Sequence, residues 1–154
     1  MADADSFTGG CLCGAVRYEA TGQPSNSLLC HCRMCQRASG APVTAMLVMT
    51  ADQVTLTRGQ TRALAFSPRA FRHICDACAA PLYYTREDRP SIRGIYVGSL
   101  DDPNTFKPKF HVCTSSAMTW LDIRDDAPRY AEKPDGMTPT LRYDPESGQA
   151  EIRG

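Results

Sequence analysis

Seven of the eight cysteines in this 154-residue sequence fall at spacings that suit metal capture. Cys11 and Cys13 form a C-x-C pair, Cys30, Cys32 and Cys35 a C-x-C-x-x-C triplet, and Cys75 and Cys78 a C-x-x-C pair, while Cys113 stands apart. A strand places residues i and i+2 on one face, so a C-x-C pair can present both sulfurs to a single ion, and a C-x-x-C turn does likewise. Cysteines at i,i+2 are poorly placed to bridge each other as a disulfide. In a reducing compartment such clustering points to metal binding or redox chemistry.

Tetrahedral zinc takes four ligands, and four thiolates at about 2.3 Å make a common closed site. Seven clustered thiols therefore supply one complete site and one three-thiol site with a free position, the arrangement that lets a metal bind water or substrate. Spacing alone does not say which pair joins which. The triplet is the local group able to supply three ligands unaided, which makes Cys30, Cys32 and Cys35 the candidate open, catalytic site. Cys11, Cys13, Cys75 and Cys78 are then left for a closed, structural site whose long-range clip adds folding energy to a loop-rich β protein. Cys113 lies in the apolar-alternating run 110–114 and reads as a buried core thiol; the alternative is a fourth ligand that closes the open site. Zinc, two ions per chain, is favoured over iron because the triplet lacks the spacing of common iron–sulfur runs.

The elements that must position these thiols read as short strands. Alternation marks 14–20, 27–32, 43–50, 54–57, 62–66, 71–75, 82–85, 92–97 and 110–114, with turn residues between them. Residues 33–40 have room for two helical turns before Pro42. The expected fold is mainly β, a small zinc-clipped single domain of short antiparallel strands. The zinc-binding domain takes residues 1–130, and 131–154 form a wrap or tail of the same domain. From Asp122 onward the Asp, Pro and Gly content predicts an irregular segment ending in a short hairpin or loose tail.

Lys plus Arg and Asp plus Glu balance at 17 each, which gives no field for nucleic acid or an anionic membrane. The first ten residues lack a basic start and apolar run, and no stretch of about 18 apolar residues occurs. The protein is expected to be soluble and cytoplasmic. The absence of G-x-S-x-G, P-loop and G-x-G-x-x-G patterns leaves serine-hydrolase and nucleotide chemistry without support. His31 reads as a packing or surface histidine, and His73 and His111 as ordinary hydrogen-bonded ones. Trp120, the single tryptophan, is expected in the core. No catalytic residue beyond the zinc ligands is assigned.

The run Gly9-Gly10-Cys11-Leu12-Cys13-Gly14-Ala15-Val16-Arg17-Tyr18, followed by Cys30-His31-Cys32-Arg33-Met34-Cys35-Gln36-Arg37 and by the later C-x-x-C, resembles the glutathione-dependent formaldehyde-activating enzyme (GFA) family. Centromere protein V belongs to the same family. The resemblance extends from about Gly9 to Tyr130 and includes His111, Trp120 and the closing stretch 121–130. It implies a tent-like fold of small sheets, structural zinc on Cys11, Cys13, Cys75 and Cys78, and catalytic zinc on Cys30, Cys32 and Cys35. It further implies carbon–sulfur lyase chemistry that joins a small-molecule thiol such as glutathione to an aldehyde, giving S-hydroxymethylglutathione from formaldehyde. Arg33 and Arg37, beside the triplet, could supply positive charge or clamp a glutathione carboxylate, or could simply be solvated. After Cys78 the family usually has Gly; here Ala79 is strained if that position needs a positive φ. Two other functions compete with the enzyme: a non-catalytic zinc-stabilised binding module, and a thiol redox or zinc-release switch.

Overall fold

The computed structural model describes residues 6–133, together with the backbone of 141–143 and 150–152. The protein is mainly β, with one short helix, and its contacts gather into two compact units. One unit comprises Met1–Ser27 and Met46–Lys107, the other Leu28–Ala45 and Pro108–Gly154.

In the first unit β1 (Ser6–Gly10), β2 (Arg17–Thr21) and β5 (Val54–Arg58) form an antiparallel sheet in the order β1-β2-β5. The burial of β2 alternates, with Tyr18 and Ala20 inside and Glu19 out, as expected of a half-buried strand. Five further antiparallel strands run in the order β4-β9-β8-β7-β6. They are β4 (Thr44–Thr50), β6 (Thr61–Ser67), β7 (Ala70–Cys75), β8 (Pro81–Arg86) and β9 (Ile92–Tyr96). Their core is built on Leu47, Met49, Ile74, Leu82 and Ile95. Gly94 is required here by proximity: it pairs with Tyr84, and a Cβ on it would lie 1.8 Å from the Tyr84 ring. Buried Arg72 donates through Nε to the Tyr96 hydroxyl at 2.9 Å and lies over the Phe66 and Tyr96 rings, contacts that offset part of the cost of burying its charge.

In the second unit β3 (Asn26–Cys30) pairs with β10 (Phe110–Val112). This pair is parallel, an exception to the antiparallel strands expected throughout. Helix α1 (Arg33–Ser39) follows β3 directly and closes on Gly40 in the left-handed conformation, so the two predicted turns are realised. On its other flank β10 is bonded by the chain near Tyr130: His111 N–H donates to Pro128 O and Tyr130 N–H to His111 O. The segment predicted as an irregular wrap thus acts as a backbone partner. β11 (Leu141–Tyr143) and β12 (Ala150–Ile152) form an antiparallel pair, the short hairpin of the two endings expected. The intervening 144–149, like 134–140, fall outside the described residues.

Three expectations change. β1 carried no strand signal, because a segment ending Gly-Gly offers too few side chains to alternate. Cys113 lies beyond the end of β10 instead of within a strand. Trp120 is 70% exposed and is not a core residue.

Candidate metal centres

The first cluster is assembled from two turns of the first unit. Cys11 and Cys13 lie in the turn after β1, where Cys11 N–H donates to Val16 O and Gly14 N–H to Cys11 O. Cys75 ends β7, and Cys78 lies in the tight connection to β8, closed by Ala79 N–H to Cys75 O at 2.8 Å and Cys75 N–H to Ala80 O at 3.0 Å. The C-x-C sulfurs therefore converge because a turn folds them together, not because a strand aligns them. All four sulfurs lie within 4.8 Å of one another. Cys11 and Cys13 are 3.6 Å apart and Cys13 and Cys75 3.8 Å apart. Four thiolates on tetrahedral zinc stand about 3.8 Å apart along each edge, so the cluster has the dimensions of a four-sulfur metal site. Burial pushes the Cys11 thiol up, but donation from the Val16 N–H at 3.2 Å and from neighbouring thiols outweighs it and brings the pKa down to about 6. Ala79 has φ 61, so the knuckle does impose a left-handed backbone on a residue with a Cβ.

The first cluster borders a groove of about 430 Å³ whose lining includes Cys11, Leu12, Arg17, Pro81 and Asp101. Its wall is fixed by the Arg17–Asp101 ion pair, in which Nη1 donates to Oδ1 at 2.8 Å.

The second cluster sits at the start of α1. Cys30, Cys32 and Cys35 have sulfurs mutually within 4.8 Å. Cys32 is the N-cap, and its sulfur accepts from the Cys35 N–H at 3.3 Å. Thiols of Cys113, Cys30 and Cys35 also donate to Cys32, and together these contacts hold it far below the usual thiol range. Interaction with Cys30 and then Cys32, together with burial, pushes the Cys35 thiol up. The triplet is thus prebuilt to carry negative charge on one sulfur, and its soft, closely spaced donors fit a thiophilic divalent metal.

Cys113 is buried, as expected of a core thiol, and interaction with Cys30 and Cys32, with burial, pushes its thiol far above the usual range. Arg33 and Arg37 both lie on α1; Arg33 is half-buried and donates to Gln36 Oε1 at 2.6 Å, whereas Arg37 is exposed in the last turn.

A buried polar chain supports this cluster. His31 Nε2 and His111 Nδ1 are 3.0 Å apart, and His111 Nε2 meets the Asp125 carboxylate at 3.0 Å. Burial would raise the Asp125 carboxyl, but donation from His111 and Arg129 prevails and lowers its pKa to about 2. Because an ionised carboxylate only accepts, His111 donates through Nε2 and accepts through Nδ1 from His31 Nε2–H. His31 is accordingly an internal packing histidine, and burial lowers its pKa. His73 is hydrogen-bonded to Thr61 and Thr85, as expected. Sequence reasoning missed Gln36, a buried amide that donates to His31 O at 2.7 Å and Ser116 O at 3.0 Å. It also missed Asp125, an aspartate in a charged segment with no spacing signal.

The structure is that of a mainly β protein with two cysteine clusters that could each hold a metal ion. The model of the glutathione-dependent formaldehyde-activating enzyme (GFA) family matches residues 6–116, and the chain belongs to that family. No curated protein matches the chain. Among solved structures, a Rhodobacter sphaeroides protein is similar at 21% identity with a TM-score of 0.49, over 79% of this chain and 98% of that one. Among the described residues no helix is long and apolar enough to cross a membrane.

Proposed function

We propose that the protein is a zinc-dependent, carbon–sulfur lyase-like enzyme that joins a small-molecule thiol to an aldehyde, with glutathione and formaldehyde as the pair that family membership indicates. The observation that carries this reading is the triplet at the start of α1, whose three sulfurs lie within 4.8 Å of one another and whose Cys32 sulfur accepts from the Cys35 N–H at 3.3 Å. Cys30, Cys32 and Cys35 hold the catalytic zinc; Cys11, Cys13, Cys75 and Cys78 hold the structural one. Zinc bound to the triplet supplies a Lewis-acidic position that favours the thiolate form of a substrate thiol near neutral pH. The reaction forms one C–S bond, and the thiol proton ends on the carbonyl oxygen; the reverse reaction breaks that bond. Three thiolates leave a zinc site at about −1, so positive charge nearby matters. Arg33 and Arg37 supply that charge and take a substrate carboxylate, while Gln36 and the His31–His111–Asp125 chain hold the triplet loop in place.

The test is NMR exchange between free glutathione and its hydroxymethyl adduct in the presence of formaldehyde and zinc-loaded protein. The exchange rate should rise in proportion to protein concentration and return to the spontaneous value with Cys35→Ser. A spontaneous rate at stoichiometric wild-type protein would sink the proposal.

A further inference from the structure

We infer that Cys113 is a fourth, exchangeable metal ligand of the second cluster, occupying the position that a substrate thiol takes over. This inference rests on the proposed function and adds to it a thiol within the chain that competes with substrate.

The parallel register of β3 and β10 sets Val112 opposite Cys30, so the next residue, Cys113, emerges beside the segment that carries Cys30 and Cys32. Cys113 is only 7% exposed, and its thiol interacts with those of Cys30 and Cys32. Its backbone is left-handed, φ 56 and ψ 39, an unfavourable conformation for a residue with a Cβ. Such strain persists where the surroundings over-determine it, and here they do. His31 N–H donates to Val112 O at 3.1 Å, and Cys113 O accepts from Ser116 N–H at 3.1 Å. Gln36 ties His31 to Ser116 across the same turn, and the His31–His111 bond fixes the two strands side by side. A core thiol needs none of this placement.

Cys113 nevertheless stands outside the set of sulfurs that lie mutually within 4.8 Å. It lies on a different segment, just past the end of β10. It can therefore withdraw while the other three, held within one short run, stay in place. Cys113 leaves as a thiol, taking up the proton that the incoming thiol releases. Sulfur replaces sulfur, with no change in charge or oxidation state.

The test uses the full chain loaded with cobalt(II), whose thiolate charge-transfer absorbance counts sulfur ligands. With two cobalt ions bound, Cys113→Ser should lose about one-eighth of the wild-type intensity, seven sulfurs replacing eight. Glutathione should restore the intensity in the variant and leave it unchanged in wild type. A tethered thiol competes at an effective concentration of about 1 mM or more, so half-saturation by glutathione, read in both proteins from paramagnetic broadening of the glutathione NMR signals by cobalt, should fall about tenfold in the variant. Cys113→Gly, which also relieves the left-handed backbone, should behave alike and guards against misfolding. Equal intensity in wild type and both variants would overturn the inference, as would a wild-type protein that never exchanges thiol. The expected spectra without accelerated adduct exchange would instead remove the proposed reaction and leave the Cys113 assignment standing.

Discussion

The two thiol clusters are built by opposite strategies. In the first, four sulfurs come from two turns whose nearest contact joins residues 62 apart in sequence, and Cys75 is itself the last residue of β7. In the second, three sulfurs lie in one short run that caps α1, and the distant Cys113 only leans against them. A cluster made by distant turns draws its geometry from the fold and returns stability to it. A cluster made by a local run is prebuilt, so a ligand can come and go without dissolving the strands around it. On the proposed function, this contrast separates holding from reacting.

The largest expected effect breaks that division at its structural side. Cys75 is 1% exposed, and Cys75→Ser leaves a hydroxyl where a buried sulfur completes the four-cysteine cluster. The variant should lose about 3 to 5 kcal/mol or fail to fold cooperatively, because metal binding there is folding free energy. Cys35→Ser should unfold within about 2 kcal/mol of wild type, retain one zinc ion and lose thiol–aldehyde exchange. Thermal unfolding paired with elemental analysis checks both. Equal destabilisation by the two substitutions would erase the distinction between the clusters.

Most strands were legible because each carries its own alternation: residues 54–57 and 71–75 were read within a residue or so of β5 and β7. The ligand groups were legible because their members are neighbours in sequence. What depended on register was not. Nothing in the spacing of Cys113 says that a parallel pairing sets Val112 against Cys30, and nothing about Asp125 says that it lies behind His111. Trp120 shows the converse failure: hydrophobicity predicts burial on average, and a single aromatic residue in an irregular segment can remain outside. The convergence of Cys11 and Cys13 was foreseen from strand geometry and achieved by a turn, since Gly14 with φ 80 bends the chain where a strand would have run straight.

A smaller effect sharpens the account of the first cluster. Ala79 has φ 61 in the knuckle between β7 and β8, where its N–H bonds Cys75 O. Ala79→Gly removes the left-handed penalty and should stabilise the protein by about 1 kcal/mol, less the added freedom of the unfolded chain. Metal content should not change. Chemical denaturation reads the gain, and a loss of stability would mean that the knuckle is held by something other than its backbone bonds.

The smallest effect belongs to the second unit and is read through pH. Asp125 accepts from His111 and Arg129, and its pKa is lowered to about 2 against an unfolded value of about 3.9. A depressed folded-state pKa means that this carboxylate stabilises fully above the unfolded value and loses its contribution as pH falls through about 2. Its side chain is 23% exposed, so solvent screening cuts the linkage to below about 1 kcal/mol. Asp125→Asn should therefore cost that amount at neutral pH and show a shallower loss of stability between about pH 4 and 2. The Asn side chain can still accept from His111, so the histidine chain should keep its tautomers and the cobalt spectrum of the triplet should not move. A changed spectrum would mean that the carboxylate's charge, rather than the hydrogen-bond geometry it sets, reaches through the two histidines to Cys30 and Cys32. In that case the local cluster depends on its surroundings as much as the clipped one does.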